Sequence, residues 1–105
     1  MPRVDESSDG REVELPVGLG LEIRQSERPT TGFRWRLESD GRPACVLVGN
    51  SFQPASDRPG GGRTHRWQFR GAQPGAGLIE LRYRRSWEGQ AEAARTFTLH
   101  IRVTR

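Results

Sequence analysis

Apolar and polar residues alternate with period two through most of this chain, and the 3.6-residue spacing of a helix never takes over. Val13 and Leu15 begin the pattern, Pro16 and Gly18 interrupt it, and Leu19, Leu21 and Ile23 resume it between Gly20, Glu22 and Arg24. Phe33, Trp35 and Leu37 alternate with Arg34, Arg36 and Glu38. Past the Ser39-Asp40-Gly41 turn signal and Pro43, an apolar run from Cys45 to Val48 continues toward Phe52. Three further alternating sets follow: His65, Trp67 and Phe69; Ile79, Leu81 and Tyr83; and Phe97, Leu99, Ile101 and Val103. The pattern predicts strands with one apolar and one polar face over 12–15, 19–26, 33–38, 45–52, 64–70, 77–84 and 94–104. The only helix candidate, 88–95, is short and reads better as loop. About seven half-buried strands predict an all-β fold, an immunoglobulin-like two-sheet β-sandwich with antiparallel strands. Residues 1–11 are polar and aperiodic and are expected to form a disordered tail before a single domain over 12–105.

An antiparallel sandwich reverses the chain at each connection, so every second connection lies at the same end. The connections after the second, fourth and sixth predicted strands therefore share a pole. They are also the three unusual ones: Glu27-Arg28-Pro29-Thr30-Thr31-Gly32, the Gly-rich 53–63 segment, and Arg84-Arg85-Ser86-Trp87-Glu88. A sandwich with its distinctive residues gathered at one end reads as a binding module whose loops make the contact surface.

Composition narrows this reading. In 105 residues, only 32% are hydrophobic, which suits the thin core between two sheets. No apolar run approaches the roughly 18 residues of a membrane-spanning helix. MPRVDESSDGRE lacks the apolar stretch of a secretory leader, so the chain as it stands is expected to be cytoplasmic, or periplasmic or secreted if a leader has been removed. A lone cysteine, Cys45, excludes an internal disulfide and a cysteine-cluster metal site. Charge is uneven: residues 1–57 hold 7 Arg against 10 acids, and residues 58–105 hold 10 Arg against 3. The basic half has two readings, an Arg-rich solvated surface or a face for an acidic partner.

The three loops resemble those of the chagasin family, immunoglobulin-like protein inhibitors of papain-type cysteine peptidases. The resemblance is carried by Arg28-Pro29-Thr30-Thr31-Gly32-Phe33-Arg34-Trp35, by Gly60-Gly61-Gly62-Arg63, and by Tyr83-Arg84-Arg85-Ser86-Trp87-Glu88, in the family's order and spacing. Three positions depart from the family pattern: Arg28 stands for Asn, Arg63 for the last Gly of the second loop, and Ser86 for Pro. The resemblance implies a cofactor-free, monomeric inhibitor that works by occlusion. Pro29, Thr30, Thr31, Gly32 and Phe33 would bind the peptidase, with Thr30, Thr31 and Gly32 as the wedge in the cleft and the two threonines close to the catalytic Cys–His pair. Gly60, Gly61 and Gly62 would grip one wall, and Arg84, Arg85 and Trp87 the other. The residue types suit that role. Pro29 fixes φ, β-branched threonines lose little side-chain entropy on docking, and Trp and Arg dominate interface energetics.

Other chemistry finds no support. Cys45 with His65 or His100 lacks an activating motif, so a buried, idle thiol is expected. No His/Asp/Glu spacing suggests a metal, and the Gly loop lacks the Lys-Ser/Thr of a phosphate cradle. Trp35 and Trp67 are in phase with core positions. Tyr83 reads as core or rim, with a hydroxyl in need of a partner. The rival readings are a basic module for nucleic acid or an anionic polymer, and a structural interaction domain with vestigial loops. Neither a membrane nor an enzyme activity is expected.

Overall fold

In the computed structural model, residues 3–28, 32–54, 62–85 and 95–105 are described. The strands are β1 (Arg3–Val4), β2 (Glu12–Pro16), β3 (Gly20–Glu27), β4 (Phe33–Asp40), β5 (Cys45–Pro54), β6 (Arg63–Gly71), β7 (Gly75–Arg85) and β8 (Arg95–Thr104). They form two four-stranded sheets, ordered β1-β3-β6-β5 and β2-β8-β7-β4. Each sheet turns an apolar face inward. Leu21, Ile23, Trp67 and Phe69 from the first sheet meet Leu15, Trp35, Ile79, Leu81, Phe97, Leu99, Ile101 and Val103 from the second. The sandwich and the core positions of both tryptophans follow from the alternation.

The structure corrects the expected strand count and pairing. There are eight strands, and both sheets are mixed, because β1 runs parallel to β3 and β2 parallel to β8. The extra strand lies in the stretch expected to be a disordered tail. Val4 pairs opposite Ile23 and packs against the core, and a single 3-10 turn over Glu6–Ser8 is capped by the Asp5 carboxylate, which accepts from the Ser7 N–H at 2.9 Å. The chain then crosses to the other sheet, where the Thr98 N–H donates to Asp9 Oδ1 and the Gly10 N–H to the Thr98 carbonyl. A two-residue strand is too short to leave a period in the sequence.

Two apolar expectations shift as well. Leu19 is 52% exposed in the turn before β3. In β5 a register shift between Leu47 and Gly49 moves the positions facing Trp67 and His65 to Asn50 and Phe52. Because β5 is an edge strand, Phe52 remains 47% exposed.

Strand registers settle which connections share a pole. Glu27 and Pro54 both lie opposite Arg63, Phe33 lies opposite Arg85, and Tyr83 opposite Arg95. All six strand ends that bound the three marked connections are therefore at one end. At the opposite pole, plain turns bond to one another: Gly18 N–H to the Gly71 carbonyl, Gly71 N–H to Leu19, and Ala72 N–H to Ala44.

Cys45 is fully buried, with Sγ 3.6 Å from the Asp40 carbonyl. Burial, aided by the Asp40 carboxylate, pushes its thiol up to about 11. The native protein at pH 8 should therefore resist a disulfide reagent such as DTNB and react only in denaturant; immediate native-state labelling would contradict the placement.

Candidate functional site

The loop pole is organised by a carboxylate on a core position. Leu21, Ile23, Gln25 and Glu27 share the inward parity of β3, so the strand drives Glu27 into the sandwich, and its side chain has no exposed surface. A bare carboxylate there would cost several kcal/mol, and it survives by being fully partnered. Glu27 Oε1 accepts from Arg63 Nε at 2.6 Å, Oε2 accepts from the Trp35 backbone N–H at 3.0 Å, and His65 Nδ1 lies 3.6 Å from Oε2. One side chain on β3 thus ties together the first residues of β6 and the start of β4, in the opposite sheet. Burial pushes the Glu27 carboxyl up, but His65, the Trp35 N–H and Arg63 outweigh it and hold its pKa below the ordinary glutamate value.

Tyr83 secures the first loop from both sides. Its hydroxyl accepts the Arg28 N–H at 3.1 Å, just before the loop, and its ring stacks on Phe33, just after it, with centroids 5.3 Å apart. Trp35 packs on the same ring at 5.0 Å and donates Nε1–H to the Ser26 carbonyl at 2.9 Å. Gly32 closes the segment with φ +84°, a conformation a side chain would strain.

The second loop returns beside the first. Gly62 has φ +82°, and a Cβ there would meet the Glu27 carbonyl oxygen at 3.1 Å and Arg28 Cγ at 3.3 Å. From Arg63 a column of stacked groups runs into the core: its guanidinium over Phe52 at 3.8 Å, Phe52 on His65 at 4.2 Å, and His65 on Trp67 at 3.7 Å. On the third connection, the Arg85 guanidinium lies over the Phe33 ring at 4.6 Å.

Of the residues singled out from sequence, the structure thus brings Gly32, Phe33, Gly62, Arg84 and Arg85 to one pole. Pro29, Thr30, Thr31, Gly60, Gly61 and Trp87 lie outside the described residues. Sequence reasoning had placed Glu27 in a loop and missed its role. The available signal was its parity with Leu21 and Ile23, since an acid on a core position demands a buried partner. Tyr83 finds its hydroxyl partner, and His100 sits on the exposed face of β8. Among the described residues no group of three or more His, Cys, Asp or Glu side chains could hold a metal ion.

Comparison with known proteins adds a lineage. The profile described as "Chagasin family peptidase inhibitor" matches residues 14–101. Amoebiasin-1 of Entamoeba histolytica is 34% identical over 104 residues, covering 93% of this chain and 95% of its own. Chagasin of Trypanosoma cruzi is 27% identical over 106 residues, covering 96% of each. The crystal structure of the cysteine protease inhibitor EhICP2 from Entamoeba histolytica superposes with a TM-score of 0.83 at 19% identity, over 98% of this chain and 94% of that one. This last likeness speaks to the fold.

Replacing Glu27 by Gln should cost about 3 kcal/mol, because it leaves Arg63 without its charged partner. Chemical denaturation would measure the loss. A depressed folded pKa means that Glu27 stabilises fully above the ordinary glutamate range and loses its contribution as pH falls through the depressed value. The gap between parent and variant should therefore be constant near neutrality and close in acid.

Proposed function

This chain belongs to the chagasin family of peptidase inhibitors, and from that membership we propose that it is a reversible inhibitor of papain-type cysteine peptidases which plugs the catalytic cleft with its loop pole. The observation that carries the reading is that the strand ends bounding the three motif-bearing connections share one end of the sandwich, where Glu27 and Tyr83 tie them together. A family of inhibitors leaves neither an enzyme activity nor the nucleic-acid reading with any support.

Occlusion asks little chemistry of the inhibitor and much rigidity. A loop held in its bound shape before contact avoids most of the ordering cost of association. The described residues that flank Pro29, Thr30 and Thr31 support such a role, since Arg28 and Phe33 are both held by Tyr83. In this reading Pro29, Thr30, Thr31 and Gly32 enter the cleft, Gly60–Gly62 lie on one wall, and Arg84, Arg85 and Trp87 on the other. The wedge crosses the peptidase site without presenting a carbonyl to the oxyanion hole, and so it is not cut. Such an interface should bury on the order of 1,600 Å² in total.

Titration of papain with this protein should abolish activity stoichiometrically and return the inhibitor uncut on mass analysis. Steady turnover by several papain-type enzymes at micromolar inhibitor would refute the reading. Trp87→Ala should weaken the complex roughly tenfold or more, mainly through faster release, as read by surface-immobilised kinetics.

A further inference from the structure

We propose that the outer face of the β2-β8-β7-β4 sheet is a second contact surface, which meets an acidic wall beside the cleft of the same peptidase and so favours peptidases with an acidic rim. The inference rests on the inhibitor reading above. Its basis is a juxtaposition that folding alone does not favour. Arg34 lies directly opposite Arg84, and Arg36 opposite Arg82, across the β4–β7 ladder. All four alternate with inward residues such as Trp35 and Leu81, so they share the outer face. Like charges facing each other across strands are destabilising.

The other sheet shows how this fold relieves the same conflict. Arg24 faces Arg66 there, and the nearly buried Glu22 carboxylate lies 2.8 Å from Arg24, 3.8 Å from Arg66 and 3.5 Å from Arg3. On the β4–β7 face, among the described residues, Glu80 is the one acid that pairs with any of the four, at 2.6 Å from Arg82. Arg84 Nε is covered and has no hydrogen-bond partner, while Arg34 and Arg36 are exposed. Glu80 neutralises Arg82 alone, and among the described residues no ion pair offsets the charge of Arg34, Arg36 or Arg84.

The position of the patch identifies its partner. Arg34 follows Phe33 and Arg84 precedes Arg85, so the patch begins one residue behind the loop pole. At strand rise, Arg34 is about 3 Å and Arg36 about 10 Å behind it. A peptidase seated on the loops would bring its rim over these residues, and a continuous positive patch steers an acidic surface into register and raises the association rate.

The test pairs the parent protein with an Arg34→Gln/Arg36→Gln variant against two papain-type peptidases, one of acidic and one of basic isoelectric point. Inhibition is followed by stopped flow between about 25 and about 300 mM NaCl, a range over which screening shortens several-fold. With the acidic peptidase, the parent's association rate should fall at least roughly tenfold across that range. The variant should start about tenfold slower and lose most of the salt dependence, with its dissociation rate within about twofold of the parent. With the basic peptidase the two proteins should behave alike. The variant removes repulsion from an exposed face, so its melting temperature should equal or exceed the parent's. Identical rates and salt slopes for parent and variant on the acidic peptidase would overturn the proposal and leave the inhibitor reading intact. Unchanged association rates with weaker retention of the variant on immobilised heparin would reassign the face to a polyanion and also overturn it. Failure of the parent to inhibit either peptidase would sink both readings.

Discussion

Glu27 is a charge that the sandwich holds at its own expense. Its carboxylate has no contact with solvent, and it is stable only while Arg63, the Trp35 N–H and His65 surround it. These partners come from both sheets, and each sits where a strand leaves or joins the loop pole. A hydrophobic residue at this position would fill the space, but it would not specify the relative placement of β3, β4 and β6. The buried charge acts as a geometric constraint, since any shift of one strand end along another breaks a short, charged hydrogen bond.

The aromatic groups extend that constraint outward. Tyr83 fastens both ends of the first loop, Trp35 bonds back to Ser26, and Arg63 caps the ring column that reaches Trp67. The opposite pole needs no such provision, because backbone bonds between turns close it. The molecule is thus divided by chemistry: backbone bonds between tight turns at one end, and side-chain anchors on the strand ends at the other.

The sandwich was legible in the sequence because half-burial writes itself as alternation, and Trp35, Trp67, Leu81 and Leu99 all fell on the side their phase indicated. The shared pole followed from chain reversal alone. What was not legible has particular causes. Arg3–Val4 is too short to show a period, and a parallel partner for β2 leaves no mark on its residues. The register shift in β5 moved the inward positions, so the exposure of Phe52 could not be counted from Cys45. Glu27 was hidden by its polarity, which suggested loop, although its phase with Ile23 placed it inside. Arg63 looked like a departure in a glycine loop, whereas the structure makes it the counterion of that buried acid.

The parallel pairing of β2 with β8 has a bearing on how the domain assembles. Val13 lies beside Ile101, and Leu15 beside Val103, so the second sheet is completed by residues from nearly opposite ends of the chain. Such long-range closure carries a large entropic cost before its contacts form, which slows folding relative to a protein of local contacts. Because β8 lies between β2 and β7, β2 has no neighbour in its sheet, and β7 only one of two, until β8 docks.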